Sequence, residues 1–358
     1  MAIAEFYTGE ASKVLSNLCK SPRNLGRYRL VVTSPPYYGH RHYGTNKAEL
    51  GHESDPQSYI DKLTSIFTKI RDLLTEDGTL WIVIGDARRL GSKLMIPHRL
   101  ALNLVNHGYF FKDDIIWYKK NFISGGSSSN LSQAYEYVLF FSNQKDCYTN
   151  INGIRTLGNE VLEAKNKKPP SDLMQFKSYG QDREKVAEIR SKISSADAET
   201  PFSSLPTTDE ISLAFGYDPE KYCPTCYRKF KRHATRKRIG DHKHYPIFAV
   251  CNPLGKNPGN VWEISTKAHH GNEHFAIYPE DLIENIVKYC TMQSDWVMDP
   301  FMGRGTTGIV CSSLGRNFAG IDLYQKNVLL SKTNIRGKNY SIGNKFSPEP
   351  VVKFRGVP

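Results

Sequence analysis

A short proline-rich segment combines residues that can bind an amino group on a flat ring. Residues 33–37 read TSPPY and continue an apolar stretch, residues 29–33 (RLVVT), which predicts a β-strand. Two consecutive prolines end that strand and force the chain to turn. The turn presents the Ser34 hydroxyl and the Pro35 carbonyl as hydrogen-bond acceptors and the Tyr37 ring as a stacking surface. The alternative interpretation of this proline turn is a rigid piece of surface.

A glycine-rich segment has the features of a nucleotide site. Residues 299–307 read DPFMGRGTT and stand between a predicted strand and a predicted helix. Glycines allow a ligand to approach the backbone, and the N-terminus of a helix favours an anionic group. Asp322 ends the next predicted strand, where a carboxylate can accept hydrogen bonds from ribose hydroxyls. A glycine turn of this kind often only caps a helix, but its spacing to Asp322 favours the nucleotide interpretation.

Alternating strands and helices must position these two turns. Periodicity predicts strands over residues 29–33, 80–84, 113–117, 135–141, 296–299 and 317–322. It predicts one helix that begins at the Asp55-Pro56 pair. Further helices are predicted near 96–105, after Pro279, over 306–314 and near 325–334. We expect Asp77 and Gly78 to end the first of these helices. The alternation predicts an α/β fold with a Rossmann-like, mostly parallel sheet and a smaller inserted domain, in which both turns face one crevice.

Composition indicates a globular protein. The 358 residues, 39% hydrophobic and 11% aromatic, suffice for a large domain with an insertion or for two domains. We divide the chain into a main domain (1–142 and 261–340), an insert (143–260) and a C-terminal extension (341–358). No apolar run approaches the roughly 20 residues of a membrane helix, and no secretory signal stands at the N-terminus. Together with seven scattered cysteines, these features predict a cytoplasmic protein with no membrane partner.

The insert contains a dense basic segment. Residues 221–244 hold nine lysines and arginines against one acid, and the whole chain carries a net charge of +12. Such charge favours a polyanion, and arginine forks can read guanine edges. The residues that we expect to contact nucleic acid are Arg228, Lys229, Arg232, Arg236 and Arg238.

Two cysteines of the insert have the spacing of half a zinc site. Cys223 and Cys226 could bind zinc together with residues from the set His233, His242, His244 and Cys251. A single CxxC with irregularly spaced partners is a weak signal, so we expect no metal.

Taken together, these segments resemble prokaryotic DNA amino-methyltransferases of the beta arrangement, in which the catalytic motif precedes the cofactor motif. The proline turn and the glycine turn are similar to those two motifs. Further similar segments, in the same order, are FYTGE (6–10), GTLWIVIGD (78–86), WYKKN (117–121), YEYVLFF (135–141) and HFAIYP (274–279). The resemblance covers about residues 5–142 and 252–334. Two residues depart from it: Glu10 replaces an aspartate and Arg304 a small residue.

The resemblance implies methyl transfer from S-adenosyl-L-methionine to an exocyclic amine of DNA. Within the family, serine before Pro-Pro-Tyr usually accompanies N4 of a cytosine that is flipped out of double-stranded DNA. The implied setting is a restriction-modification system, with a cognate restriction endonuclease as a candidate second partner. The alternatives are an adenine-N6 enzyme, an RNA-directed enzyme and a non-catalytic DNA-binding protein with a vestigial methyltransferase fold.

The resemblance also assigns roles to residues. The main domain becomes the catalytic domain and the insert the target-recognition domain. The catalytic set is Ser34, Pro35, Pro36, Tyr37 and Asp86. The set that binds the cofactor is Glu10, Thr33, Phe275, Tyr278, Asp299, Pro300, Phe301, Gly303, Gly305, Thr306 and Asp322.

Two of these assignments have structural alternatives. Asp86 ends a predicted strand and is the candidate acceptor for the proton that leaves the amine, but it could equally cap the turn that follows its strand. Phe275, Tyr278 and Phe301 could enclose the adenine or belong to the core.

Overall fold

The computed structural model describes most of the main domain and little of the insert. It covers residues 2–39, 46, 48–122, 130–155, 257–266 and 278–336. The chain divides into one unit of residues 1–153 and 259–358 and a second unit of residues 154–258. The predictions for Phe275, for the zinc candidates, for the basic residues of the insert and for residues 341–358 lie outside the described residues.

A mixed sheet of eight strands forms the centre of the first unit. In chain order the strands of the described residues are β1 (Ala4–Thr8), β2 (Tyr28–Thr33), β3 (Leu74–Ile84), β4 (Arg88–Arg89), β5 (Ser92–Lys93), β6 (Phe110–Tyr118), β7 (Tyr135–Ser142), β8 (Val261–Glu263), β9 (Trp296–Asp299) and β10 (Asn317–Asp322). The sheet has the order β1-β10-β9-β2-β3-β7-β6-β8, and β4 and β5 form a separate hairpin. β7 is antiparallel to both neighbours and every other pair in this sheet is parallel. The predicted mostly parallel sheet is confirmed.

The order of the strands brings distant segments together. The last two strands, β9 and β10, lie between the first two, β1 and β2. Val31 of β2 lies opposite Met298 of β9, and Thr8 of β1 lies opposite Asp322 of β10. Because these strands are parallel, their carboxyl ends meet at one edge of the sheet. The proline turn and the glycine turn both leave the sheet at this edge, as predicted.

The helices of the described residues fall into two contacting groups of three. They are α1 (Ala11–Cys19), α2 (Pro56–Ile70), α3 (Ile96–Asn106), α4 (Glu280–Cys290), α5 (Thr306–Ser313) and α6 (Gln325–Arg336). α2 contacts α1 and α3, and α5 contacts α4 and α6. α2 begins as predicted, because the Asp55 carboxylate accepts a hydrogen bond of 2.9 Å from the backbone N–H of Ser58. None of the six helices combines the length and the apolar composition of a membrane span.

One predicted helix end is wrong. α2 ends at Ile70 and β3 begins at Leu74, so Asp77 and Gly78 lie inside a strand. The pairing of β2 with β3 shifts register at this point, which makes the Asp-Gly pair part of a bulge. Arg29 of β2 forms a salt bridge with Asp77 and thereby ties the bulge to the neighbouring strand.

The core supports the edge of the sheet that carries the two turns. Strands β2 and β3 contribute fully buried residues, among them Val31, Leu80 and Ile82. Each such side chain stabilises the fold by about 1.5–3 kcal/mol. Tyr37 and Phe301, one from each turn, are half-buried and pack against this same core. Core packing therefore positions both turns.

Candidate active site

A hydrogen bond joins the proline turn to the glycine turn. Thr33 Oγ1 donates to Asp299 Oδ1 at 2.6 Å, and both side chains are fully buried. Thr33 ends β2 and Asp299 ends the neighbouring β9. The proline turn and the glycine turn therefore lie next to each other, as the crevice predicted from the sequence requires.

Asp299 is the centre of a buried polar cluster. Its Oδ1 also accepts from the backbone N–H of Phe301 at 3.0 Å. Its Oδ2 accepts from the hydroxyls of Tyr278 and Thr307, each at 2.7 Å. Burial raises the pKa of Asp299 above its usual value, although the hydrogen bonds counteract this shift. With four donors around it, the Asp299 carboxyl group organises the glycine turn.

The glycine turn uses its two glycines in different ways. Gly305 has a φ of 86°, and a Cβ placed there would lie 2.1 Å from Oγ of Ser331, so α6 packs directly on its backbone. Gly303 has a φ of 52°, but a Cβ placed there would meet no atom within 4 Å. Left-handed φ values disfavour a side chain at both positions. Gly303 also borders open space, as a residue beside a ligand must.

Asp322 holds the glycine turn from the next strand. Its Oδ2 accepts from the backbone N–H of Gly303 at 3.1 Å. Its Oδ1 accepts from the backbone N–H of Tyr324 at 2.8 Å and from the Asn327 amide at 3.0 Å. Burial raises the pKa of Asp322 to about 6, against the effect of these donors. The ribose contact stays a prediction, and the structure adds a role in shaping the turn.

A chain of polar contacts holds the Tyr37 side chain. Its hydroxyl donates to Oε2 of Glu136 at 2.6 Å, and Oε1 of Glu136 forms a salt bridge with Lys119. The ring lies over Gly85, where a Cβ would be 2.9 Å from Tyr37 Cε2. Burial and the adjacent Glu136 raise the pKa of Tyr37 well above its usual value, so the phenol stays neutral and donates. The Ser34 hydroxyl donates a long hydrogen bond of 3.4 Å to the Tyr37 oxygen.

The two prolines of the turn differ in their carbonyl contacts. Tyr59 of α2 donates its hydroxyl to the Pro36 carbonyl at 2.8 Å. Among the hydrogen bonds of the described ranges, none is accepted by the Pro35 carbonyl. The Pro35 carbonyl therefore has acceptor capacity left for a ligand.

The Asp86 carboxylate is engaged with backbone groups. It accepts from the N–H groups of Ala87 at 2.9 Å, Ile96 at 3.0 Å and Met95 at 3.3 Å. Met95 immediately precedes α3, so these contacts tie the start of that helix to the end of β3. They agree with the capping alternative that the sequence left open, and the role as proton acceptor stays a prediction.

The remaining predicted cofactor residues lie around the same edge. Pro300 and Thr306 are buried in the glycine turn. Glu10 follows β1 and forms a salt bridge of 3.0 Å with Lys13. Tyr278 is buried with its hydroxyl on Asp299, which fits the core alternative for this residue.

Sequence reasoning did not single out Lys119, Glu136, Tyr59 or Thr307, which contact the residues of the two turns. A signal for the first two exists, because Lys119 follows β6 directly and Glu136 lies in β7 opposite Trp117 of β6. Opposite charges at neighbouring positions of paired strands are typical of a salt bridge. In the ranges that the structure describes, no cluster of His, Cys, Asp and Glu side chains could hold a metal ion.

Comparisons with known proteins address the family. The profile of the DNA methylase family N6_N4_Mtase matches residues 28–333. The chain is 23% identical to the Type II methyltransferase M.Cfr9I of Citrobacter freundii, over 95% of this chain and 90% of that protein. It is 25% identical to the Type II methyltransferase M.SmaI of Serratia marcescens, over 85% and 83% of the two chains.

Solved structures share the fold. The PvuII DNA methyltransferase (cytosine-N4-specific) matches with a TM-score of 0.56 at 16% identity, over 95% of this chain and 89% of that chain. A Thermus thermophilus protein described as a putative DNA modification methylase, solved with S-adenosyl-L-methionine, matches with a TM-score of 0.50 at 21% identity, over 94% of each chain. The Rossmann-like methyltransferase fold is thereby confirmed. Since the family profile spans both turns and most of the chain, this protein belongs to the DNA methylase family N6_N4_Mtase.

Proposed function

We propose that the protein transfers a methyl group from S-adenosyl-L-methionine to N4 of a flipped cytosine in double-stranded DNA. The observation that carries the proposal is the hydrogen bond from Thr33 to Asp299, which joins the two turns at one edge of the sheet. A methyl donor at the glycine turn and an extruded base at the proline turn then meet in one crevice. Such positioning supplies much of the rate of a direct displacement.

The glycine turn fits the nucleotide-containing methyl donor. Gly303 leaves open space beside its backbone, and α5 begins at Thr306, directly after Gly305, so its first N–H groups lie at the same edge. Glu10 follows β1 and Asp322 ends the neighbouring β10, and both supply carboxylates for the polar ends of the donor. When bound, S-adenosyl-L-methionine supplies an electrophilic methyl carbon on a positively charged sulfur.

The proline turn holds the groups that orient the target amine. The Pro35 carbonyl and the Ser34 hydroxyl both accept hydrogen bonds from NH2, which draws the nitrogen towards a pyramidal geometry and frees its lone pair. The nitrogen gains the methyl group, the electron pair of the broken carbon–sulfur bond stays on sulfur, and the amine loses one proton. We assign the receipt of that proton to Asp86, through Ser34 or water.

Cytosine N4 is preferred to adenine N6 because of Ser34. A serine hydroxyl can donate to the ring nitrogen beside the amine while it accepts from the amine, whereas an ionised aspartate only accepts. The fold match to a cytosine-N4-specific enzyme agrees with this choice. Adenine N6 is the second candidate, since the family profile carries both specificities in its name.

We assign target recognition to residues 143–260, with phosphate and base contacts from Arg228, Lys229, Arg232, Arg236 and Arg238. The relatives named above are Type II methyltransferases, which supports a restriction-modification role with a cognate endonuclease as partner. We place the protein in the cytoplasm, where it would meet its proposed DNA substrate. A vestigial, non-catalytic protein is disfavoured because Ser34, Tyr37 and Gly303 are all present.

Nucleoside analysis of DNA from a host that expresses the gene tests this proposal. The host lacks other DNA methyltransferases, and liquid chromatography with synthetic standards separates N4-methylcytosine from its isomer 5-methylcytosine and from N6-methyladenine. We expect N4-methylcytosine with the natural protein and none with Ser34→Ala or Tyr37→Ala, while both variants still bind S-adenosyl-L-methionine. N6-methyladenine in its place would change the assigned base, and unmodified DNA would contradict the proposal. Sequencing of modified positions identifies the recognition site.

A further inference from the structure

The hairpin of β4 and β5 leaves the sheet at the crevice. Arg88 pairs with Lys93 and Arg89 with Ser92, which leaves Leu90 and Gly91 as a two-residue turn. Both turn residues have left-handed backbones, with φ values of 51° and 80°. This is the pattern of a type I′ hairpin, whose first turn position favours asparagine, aspartate or glycine.

Leu90 destabilises the folded protein through its backbone conformation, and its side chain makes no buried contact that would offset this cost. A leucine at positive φ is strained, because its Cβ approaches the following carbonyl. Its side chain is 100% exposed, so no burial offsets that strain. Strained backbone of this kind clusters at functional sites, which favours a bound state in which the Leu90 side chain becomes buried.

The residues around Leu90 indicate the chemistry of what it meets. Residues 88–93 contain two arginines and one lysine and no acid. Arg88 and Arg89 are exposed, and none of the ion pairs within the described residues involves them. A leucine directly after two exposed arginines combines an apolar wedge with phosphate contacts.

The base of the hairpin is fixed beside the catalytic tyrosine. Gly85 lies against the Tyr37 ring, and Asp86 follows it directly. The Asp86 carboxylate binds the N–H groups of Ala87 on one side of the hairpin and Met95 on the other. The Leu94 N–H also donates to the Ala87 carbonyl at 2.9 Å. Leu90 stands three positions after Ala87, and an extended chain rises by about 3.3 Å per residue, so the tip reaches about 10 Å beyond this anchored base.

We propose that Leu90 enters the DNA duplex at the target site and occupies the stack that the extruded base leaves, while Arg88 and Arg89 contact the flanking phosphates. The inference rests on the base extrusion in the proposed function. An apolar side chain between base pairs offsets part of the cost of unstacking and so favours the extruded state. Asp86 thereby also acquires a positioning role, since it anchors both strands of the wedge to the edge of the crevice.

Leu90→Asn tests the wedge without damage to the turn. Asparagine tolerates the left-handed conformation and Asn-Gly is the preferred type I′ pair, so the melting temperature should equal or exceed that of the natural protein. Binding is measured with two duplexes that carry the recognition site, one with the target base paired and one with it mispaired. Extrusion is cheaper from a mispair. We expect Leu90→Asn to weaken binding about tenfold on the paired duplex and by less than about threefold on the mispaired one.

Leu102→Gln is the matched control, because Leu102 is an exposed leucine (66%) on α3. It should bind both duplexes like the natural protein. The wedge is disproved if Leu90→Asn binds the paired duplex normally or loses the same factor on both duplexes. Methylation of the paired duplex by the natural protein is measured alongside. If the natural protein does not methylate the paired duplex, the proposed function is contradicted. If it does methylate that duplex but Leu90→Asn shows no selective loss of binding to it, only the wedge is contradicted.

Discussion

The Thr33 hydroxyl donates to Asp299 Oδ1 at 2.6 Å although the two residues are 266 positions apart in the chain. This one contact connects the turn that is assigned to the target amine with the turn that is assigned to the cofactor. Both side chains are fully buried, so no water molecule replaces the Thr33 hydroxyl as a donor to Asp299 when that hydroxyl is removed.

Thr33→Val removes this donor while it keeps the shape of the side chain. A buried carboxyl group that loses one of its donors costs about 1–3 kcal/mol, so we expect the free energy of unfolding to fall by that amount. The affinity for S-adenosyl-L-methionine should fall as well, because Asp299 organises the glycine turn. Urea denaturation and calorimetric titration measure the two effects.

Thr79→Val is the control: Thr79 is equally buried in β3 but lies three residues before Ile82, the strand partner of Thr33. An equal loss of cofactor affinity in the control would contradict a specific role of Thr33.

Glu136 is expected to position Tyr37. Glu136→Ala removes the acceptor of the Tyr37 hydroxyl, and we expect kcat to fall by about 10–100-fold with little change in cofactor affinity. Glu136→Gln keeps an acceptor and should recover part of the rate. Tyr37→Phe removes the other partner, so the double variant Tyr37→Phe/Glu136→Ala should be no worse than the poorer single variant. Additive losses in kcat would show that the two residues act independently.

Gly303 and Gly305 should respond differently to alanine. At Gly305 the added methyl group would lie 2.1 Å from Ser331 Oγ, and we expect Gly305→Ala to unfold at a clearly lower temperature. Gly303→Ala meets no atom within 4 Å and should lose only about 1–2 kcal/mol through its left-handed backbone. Its methyl group nevertheless projects into the space assigned to the cofactor, so affinity for S-adenosyl-L-methionine should fall about tenfold or more. Normal cofactor binding by folded Gly303→Ala would refute this placement.

Asp322 should give the protein a pH dependence in the acid range. Its pKa in the folded protein is about 6, above its ordinary value of 3.8. Because burial penalises the ionised form, this group contributes most to stability below its ordinary pKa, and the contribution is lost as pH rises towards 6. The hydrogen bond from Gly303 is stronger when Asp322 is ionised, so cofactor affinity should change in the opposite sense and increase as pH rises through 6. Denaturation and calorimetric titration between pH 4 and 7.5 follow both trends. Asp322→Asn cannot titrate, and a profile as steep as that of the natural protein would exclude Asp322 as the source.

The basic residues of the insert should govern affinity for DNA and leave the cofactor site unaffected. Replacing Arg228, Lys229, Arg232, Arg236 and Arg238 by glutamine removes five positive charges. Each lost phosphate contact reduces the slope of log affinity against log salt by about 0.9. We expect weaker and less salt-dependent binding of DNA, with unchanged affinity for S-adenosyl-L-methionine. An unaltered salt slope would place the DNA contacts elsewhere.

Strong local signals explain what could be predicted of the fold. The bounds of β9 and β10 agree with the predicted strands residue for residue, since both are short apolar runs between clear turn signals. β1 and α1 were not predicted. β1 reads AEFYT without a continuous apolar run, and its strand partner is β10, more than 300 positions away. The Asp-Gly pair at Asp77 and Gly78 was mistaken for a helix end because a bulge has the same local residue types.

The residues of the site that belong to one contiguous segment could be predicted from the sequence. The proline turn and the glycine turn are each contiguous, and their residues could be named from the sequence. The contacts of Tyr37 with Glu136 and of Glu136 with Lys119 depend on how β3, β7 and β6 pair. No local pattern specifies that pairing, so these residues required the structure.

The placement of β9 and β10 between β1 and β2 has a consequence for the newly made chain. During translation β1 and β2 leave the ribosome first, but the strands that separate them are encoded more than 250 residues later. This half of the sheet therefore closes only after β9 and β10 have been synthesised, and a nascent polypeptide that stops before β9 has no partner for Thr33. A molecule truncated before these strands therefore lacks the edge of the sheet at which the two turns meet.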